Sequence, residues 1–410
     1  MTENRTNKDM DQTTVNAFNP RVVWFSLVLV SNSAFALTQD AYITENGLFV
    51  KPSLEVGVVH DDNIHNEESN TTSSSIITVI PAVNFTKDDG INSYSLALEA
   101  EKGIYEASSK DSYTDGLLGF KVHLEPNDTH RFDLLLKGQW LTEQRGTGIT
   151  EQNFELTDEP ITYNKNTFSV GYEYGAMQTK GRIAFELAFY EKEYSNFETI
   201  TRRSNYDSLS LGSTFFYSTR AHTDAFFEVS AETIAYDYNQ PGEFNRDSDV
   251  YSAFVGMQWK ASSIVSGFIK LGAQAKEFDD ARRDDFTGFS WKVGGEWRPL
   301  TYSKMSFSTS QATKDPDMDG DYILETKYKI NFKHNWTSYF YTKLGVYKYQ
   351  EDYSGIARVD DVYGYNLKFN YDMTENIAIA LFGLWDRNTS TDLIYEYDKN
   401  VVGASFTLTL

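Results

Sequence analysis

Cysteine is absent from all 410 residues. That excludes disulfide scaffolds, thiolate zinc sites, iron–sulfur clusters and cysteine nucleophiles. Basic residues are in deficit, with 37 Lys and Arg against 59 Asp and Glu and a net charge of −22. A nucleic-acid binder needs a basic stripe to neutralise phosphates, so nucleic acid is not an expected partner. Past the N-terminus no apolar run approaches the roughly 18 residues that a membrane-spanning helix requires. No Walker or dinucleotide fingerprint occurs, and no nucleophile stands at a fixed spacing from a base. No catalytic residue, cofactor or metal ligand is therefore assigned, and the chain does not read as an enzyme. Aromatic residues are plentiful, with 27 Tyr and 28 Phe, while proline numbers only 8. Acidic disordered chains are poor in aromatics, so this chain folds. Its composition is that of an outer-membrane β-barrel, and the residue pattern has to decide.

Arg21 precedes the apolar run 22–30, and Ala34 and Ala36 in "SNSAFA" have the small-x-small spacing of a cleavage site. This predicts a Sec signal peptide over 1–36, then a short periplasmic segment over 37–46 and a barrel over 47–410. The bases before the apolar run (Arg5, Lys8, Arg21) are matched by Glu3, Asp9 and Asp11, as a start codon assigned too early would produce. Export without cysteine suits the outer membrane of a Gram-negative bacterium. The expected partners there are membrane lipid, lipopolysaccharide and the barrel-assembly machinery.

Period-2 alternation runs through nearly every later segment. In 286–298, Phe289, Trp291, Val293 and Trp297 share one face, and Ser290, Lys292, Glu296 and Arg298 share the other. In 322–333, Tyr328, Ile330 and Phe332 oppose Glu325, Lys327, Lys329 and Lys333. The runs are much longer than the five or six residues of a typical sandwich strand, and each is apolar on one side and charged on the other, as a transmembrane barrel demands. Turn clusters fall at 87–90, 125–128, 176–181, 218–222, 260–263, 298–301, 333–336 and 372–375. They separate longer polar stretches such as 61–74, 143–160, 195–205, 238–248, 314–320 and 352–360. Short turns on one side and long loops on the other mark an antiparallel up-and-down barrel. Eight turns joining nine outward hairpins give eighteen strands, and sixteen is the other even count the pattern admits. The first strand is placed near 47–60 and the last near 394–410, and the two must pair because lipid tolerates no open edge. Aromatics near strand ends, among them Tyr94, Tyr174, Phe216, Tyr217, Trp297 and Tyr371, read as an interfacial girdle on the short-turn side. At the C-terminus Gly403, Phe406, Leu408 and Leu410 fit the last-strand signal recognised by barrel-assembly machinery, with Leu at the end where Phe is more usual.

The polar face gives the lumen mixed charge. Candidate pore residues are Arg131, Asp133, Lys137, Arg182, Glu186, Tyr190, Lys292, Glu296, Lys327, Lys329, Tyr341, Lys343 and Tyr347. Tyrosine rings among hydrogen-bonding side chains suit a carbohydrate track. The acidic surplus sits mostly in outer loops, where Asp61, Asp62, Asp279, Asp280, Asp284, Asp285, Asp315, Asp317, Asp319 and Asp321 read as solvated charge. "DPDMDGD" at 315–321 imitates a calcium loop but lacks its distal Glu. His60 and His65 flank "DDNI" near the first outer loop, where an Asp–His pair could activate water.

Four fragments together resemble the putative β-barrel porin 2 family: "VGVVHDDNIHN" (56–66), "LTEQRGTG" (141–148), "GYEYG" (171–175) and "NRDSDVYSAFVGMQW" (245–259). The likeness extends over 45–410. His60 stands where the family often has Tyr. The resemblance implies an outer-membrane barrel that passes a secreted polysaccharide, an acidic or neutral polymer, outward. It also implies a periplasmic polysaccharide-export protein as partner. It marks Asp61, Asp62, Asn63, Arg145, Gly146, Arg246 and Asp247 at the outer rim or strand ends. The resulting expectation is a non-enzymatic porin conducting an exopolysaccharide. An uptake porin for oligosaccharides would instead need an inward-folded constriction loop with acids opposing a basic ladder, and 143–160 is the longest candidate loop. A plugged surface or adhesion barrel would show a packed, charge-paired lumen.

Overall fold

The structure is a computed structural model, and it describes residues 42–410 apart from 221, 222, 240, 241, 243, 261 and 262. The expected signal peptide lies outside the described residues. Eighteen long antiparallel strands form the barrel. In chain order the first nine are β1 (Phe49–Asp61), β2 (Ser74–Asp88), β3 (Ser93–Tyr105), β4 (Tyr113–Asn127), β5 (His130–Glu143), β6 (Ile161–Tyr174), β7 (Gly181–Tyr194), β8 (Tyr206–Arg220) and β9 (Thr223–Tyr236). The second nine are β10 (Ser248–Lys260), β11 (Val265–Phe278), β12 (Phe286–Leu300), β13 (Ser303–Lys314), β14 (Ile323–Asn335), β15 (Phe340–Tyr353), β16 (Arg358–Asp372), β17 (Ile377–Ser390) and β18 (Tyr397–Thr409). A two-residue strand, Tyr42–Ile43, adds to the start of β1.

Each strand pairs with its sequence neighbours, and β18 returns to β1 from Val401↔Asp61 to Thr409↔Ser53. Closure gives every strand two partners, as a span through hydrocarbon requires. The eighteen-strand expectation holds. Nine connections gather at one end, the longest being 144–160, and the eight short turns gather at the other.

Alternation sorts the side chains because successive Cβ atoms point to opposite sheet faces. On β8, Leu209, Leu211, Phe215 and Tyr217 are exposed on the outer wall, while Ser208 is buried on the inner one. On β18, Val402 and Phe406 point outward, and Gly403 faces inward against Phe382. Tyr94, Tyr174, Tyr217, Trp297, Trp336 and Tyr371 stand exposed on the outer wall toward the short turns, as a girdle would. Phe216 corrects the expectation. It is buried inside, beneath the Arg182 guanidinium at 5.2 Å. In the run Phe215–Phe216–Tyr217 strict alternation allows only the two outer members to meet lipid.

Buried apolar clusters occur only toward the long-loop end among the described residues. One, around Val59, Ile64, Ile76, Tyr105 and Val401, sits under the closure seam, and another, around Ile149, Ile161, Tyr163 and Tyr194, under the longest loop.

The outer wall therefore has to meet hydrocarbon. Leu211→Arg, mid-strand on the outer face, should destabilise the barrel by about 2–4 kcal/mol. Ser210→Arg on the adjacent inner face should cost much less. Denaturant unfolding in lipid vesicles, followed by tryptophan fluorescence, measures both.

Candidate functional site

Two long-end connections turn into the barrel and narrow its lumen. The first, 144–160, leaves β5 and carries two short 3₁₀ turns, Gly148–Thr150 and Phe154–Leu156. Arg145 pins its base by donating to both Asp111 oxygens, each at 2.7 Å. His65 Nε2 meets Asp111 Oδ2 at 3.1 Å, and the His65 ring stacks on Phe154 at 4.1 Å. Three connections (62–73, 106–112 and 144–160) thus share one buried knot. Burial works against the Asp111 charge, but hydrogen bonds from His65, Arg145 and Ser108 outweigh it and hold the carboxyl well below the usual range. The same contact raises Arg145. Gly146 has φ +84°, and a Cβ there would overlap the His65 carbonyl. Glu143 is fully buried and accepts from the Ile149 N–H at 2.8 Å and the Tyr194 hydroxyl at 3.1 Å.

Farther along, the loop crosses the lumen. Glu151 accepts from Arg358 Nη2 at 3.1 Å, although 207 residues separate them. The Arg358 guanidinium also donates to Asp360 and lies 3.2 Å over the Tyr395 ring and 4.4 Å over Tyr353. A planar cation that stacks and bonds in its plane at once is a role lysine cannot fill.

The second connection, 315–322, reaches in from β13. Asp315 pairs with Lys276 at 2.8 Å and Asp317 with Lys192 at 3.6 Å. Ser204 Oγ donates to the Asp317 carbonyl at 3.1 Å, and Arg246 donates to the Pro316 carbonyl. Met318 packs on the Ile149, Ile161, Tyr163 and Tyr194 cluster, so the two connections meet there. Between them remains a cavity of about 190 Å³, lined by charge and tyrosine. Tyr190, Tyr206 and Tyr236 follow one another around its wall, with ring centres 5.5 and 5.3 Å apart.

Every pore residue read from the sequence falls on the inner wall. Arg131 and Arg182 share Glu173 at 2.6 and 2.8 Å, and Arg182 continues to Asp224 at 2.8 Å. Asp133 meets His123 at 2.7 Å. Glu296 holds Arg298 at 2.6 Å and also Lys304. Lys327 pairs with Glu325 at 2.5 Å, and Lys327 and Lys329 both approach the Tyr349 ring. Lys333 and Lys343 face Tyr341, while Tyr347 stacks on Tyr349 and donates to Asp386 at 2.7 Å. Tyr190 lines the cavity beside Lys192. Lys137, Glu186 and Lys292 are half-buried on the same wall.

The resemblance-marked residues are fastenings. Asp62 accepts from the Asn400 backbone N–H at 2.7 Å and its side chain at 2.9 Å, across the seam between β1 and β18. Asp61 meets Lys399 at 3.3 Å across the same seam. Fully buried Asn63 donates to the Asp398 carbonyl at 3.0 Å and the Glu67 carbonyl at 2.7 Å. Asp247 accepts from the Tyr236 N–H at 2.7 Å. Arg145, Gly146 and Arg246 lie inside the mouth, not on an exposed rim.

Two sequence expectations need correction. Asp61, Asp315, Asp317 and Asp321 are not solvated loop charge. Each is ion-paired, Asp321 with Arg283 at 2.9 Å. The imitation calcium loop thus spends three of its four acids on lysine and arginine, and Asp319 stays exposed. His60 points outward, and His65 turns to Asp111 instead of the adjacent aspartates. Sequence reading missed Arg358, Asp111 and Met318. Alternation could have placed Arg358 inward, but nothing local reveals a partner on the far side of the lumen.

A closed barrel with an apolar outer wall, a polar lumen and loops folded into its mouth defines a transmembrane channel protein of the porin type. The model for the family described as putative beta-barrel porin 2 matches residues 45–410, and the chain belongs to that family. No curated protein matches it. Among solved structures it is similar to OpdK of Pseudomonas aeruginosa with vanillate, at 8% identity and a TM-score of 0.47, covering 88% of this chain and 99% of that one. It is also similar to OccK3 (OpdO) of the same organism (8%, 0.45, covering 91% and 97%). The siderophore receptor PirA of Acinetobacter baumannii is a third (8%, 0.42, covering 88% and 80%). Family membership and the closed barrel make the protein an outer-membrane β-barrel.

The knot at Asp111 makes its own predictions. Gly146→Ala should release 144–160 at a cost of about 1–3 kcal/mol, so that protease cuts the loop while the barrel keeps its heat-modifiable migration on gels. Asp111→Asn should do the same. Because the folded Asp111 carboxyl lies below its unfolded value, its ionised form stabilises the closed loop at neutral pH. That contribution is lost only as pH falls through the depressed value, so the difference in loop protection between the wild type and Asp111→Asn should be unchanged from about pH 7 to pH 5.

Proposed function

We propose that the protein is a non-enzymatic outer-membrane channel for saccharide chains, and that its cargo is an exopolysaccharide travelling outward. The observation carrying this reading is the lining of the constriction, where tyrosine arcs alternate with charged side chains. Rings stack on sugar faces while the charged and amide groups bond hydroxyls. The polymer would enter from the short-turn end, delivered by a periplasmic export protein. The inward connections would then act as a gate, since 144–160 and 315–322 meet inside the mouth and are tied to the wall by ion pairs. Ion pairs suit a gate because they re-form in one register.

A second reading, an uptake porin for small oligosaccharides, is favoured by the inward fold of 144–160, with Glu151 meeting Arg358 across the lumen. A deletion strain separates the two. Export predicts loss of surface polysaccharide with accumulation in the periplasm, restored by the intact gene. Unchanged surface polymer would contradict export, and slowed growth on oligosaccharides would then support uptake.

A further inference from the structure

The inner wall from β13 to β16 carries a regular lattice toward the short-turn end. Register sets Lys304, Lys333, Lys343 and Lys368 side by side on four consecutive strands. One tier deeper, the same strands offer Ser306, Asn331, Gly345 and Asn366. The third tier holds Ser308, Lys329, Tyr347 and Gly364. Adjacent strands lie about 4.8 Å apart and tiers about 6.8 Å apart. The two glycines let their neighbours lie along the wall. A Cβ on Gly345 would strike the Asn366 amide, and one on Gly364 would strike the Tyr347 hydroxyl.

Like charges on directly opposed strand positions are destabilising. Other lysines of the inner wall are neutralised, Lys270 by Glu228 at 2.5 Å and Lys276 by Asp315 at 2.8 Å, whereas Lys137 on β5 has no ion pair among the described residues. In the lysine tier only Lys304 has such relief, from Glu296. Among the described residues no carboxylate forms an ion pair with Lys333, Lys343 or Lys368. Asp372, near the end of the row, takes the Asn370 amide at 2.7 Å. The Tyr341 ring lies 4.3 Å from Lys333 Nζ and 5.5 Å from Lys343 Nζ. A chain with net charge −22 has acids to spare, yet among the described residues none forms an ion pair with these three adjacent lumen lysines, and Asp372 acts on Lys333 only from farther off.

We infer that this lattice is a binding subsite for a carboxylate-bearing saccharide. The lysines take the carboxylates, Asn331 and Asn366 bond hydroxyls, and Tyr341 and Tyr347 meet sugar faces. The inference rests on the saccharide reading above and narrows it to acidic sugars. Calorimetry on the full detergent-solubilised chain tests it, with trigalacturonate as probe and maltotriose as the neutral control. Trigalacturonate should bind at least about tenfold tighter than maltotriose. The double variant Lys343→Gln/Lys368→Gln should lose that advantage, and Lys343→Arg/Lys368→Arg should keep it. Heat-modifiable gel migration verifies that each variant is folded. Equal binding of the two trisaccharides, or an unchanged preference in the folded Gln variant, overturns the inference and leaves the saccharide reading standing. Binding of neither trisaccharide overturns both.

Discussion

A sheet that crosses hydrocarbon cannot end in an unpaired strand, and every other feature of this protein accommodates that requirement. The seam joining β1 to β18 meets it with ladder bonds through the membrane and with a polar lock at the long-loop end. There Asp61, Asp62 and Asn63, consecutive in sequence, reach three different partners on or beside β18. Fully buried Asn63 uses its whole amide to hold the first connection against the last strand. An apolar residue at that position would leave buried backbone carbonyls without a partner, at a cost of about 1–3 kcal/mol each. The family-marked tripeptide is therefore a closure device, and its chemistry follows from where the chain must meet itself.

Closure also creates the lumen, and the lumen sets the terms for its contents. The long-loop half is filled by connections anchored through ion pairs and one apolar cluster, while the opposite half keeps a polar wall. Buried charge of this kind contributes little net stability, because desolvation offsets most of the attraction. Its value lies in position: Arg358 accepts only a geometry in which Glu151 and Asp360 lie in its plane and Tyr395 against its face. A plug tied by such contacts has one closed arrangement.

Strand number, strand direction, the two-faced alternation and the separation of short turns from long loops were all legible in the sequence. They express a period of two, and Leu209 to Tyr217 on β8 show how strictly the barrel obeys it. The same rule misplaced Phe216 only where aromaticity was weighed above parity. Pore-facing side chains were legible for the same reason. The inward fold of 144–160 and 315–322 was not. Asp315 and Asp317 look like solvent-seeking loop charge until Lys276 and Lys192, well over a hundred residues away for the latter, are brought beneath them. Contacts across a lumen join positions that no local pattern relates, so an acidic loop gives no sign whether it faces water or an opposing cation.

The central claim is that the connection 144–160 crosses the lumen and governs passage through it. Because the chain contains no cysteine, Glu151→Cys/Arg358→Cys introduces one unambiguous pair. A short, reducible thiol–thiol crosslinker should join the two within the folded barrel, and single-channel conductance should fall on linking and recover on reduction. Failure to link the pair, or conductance indifferent to the link, would contradict the account.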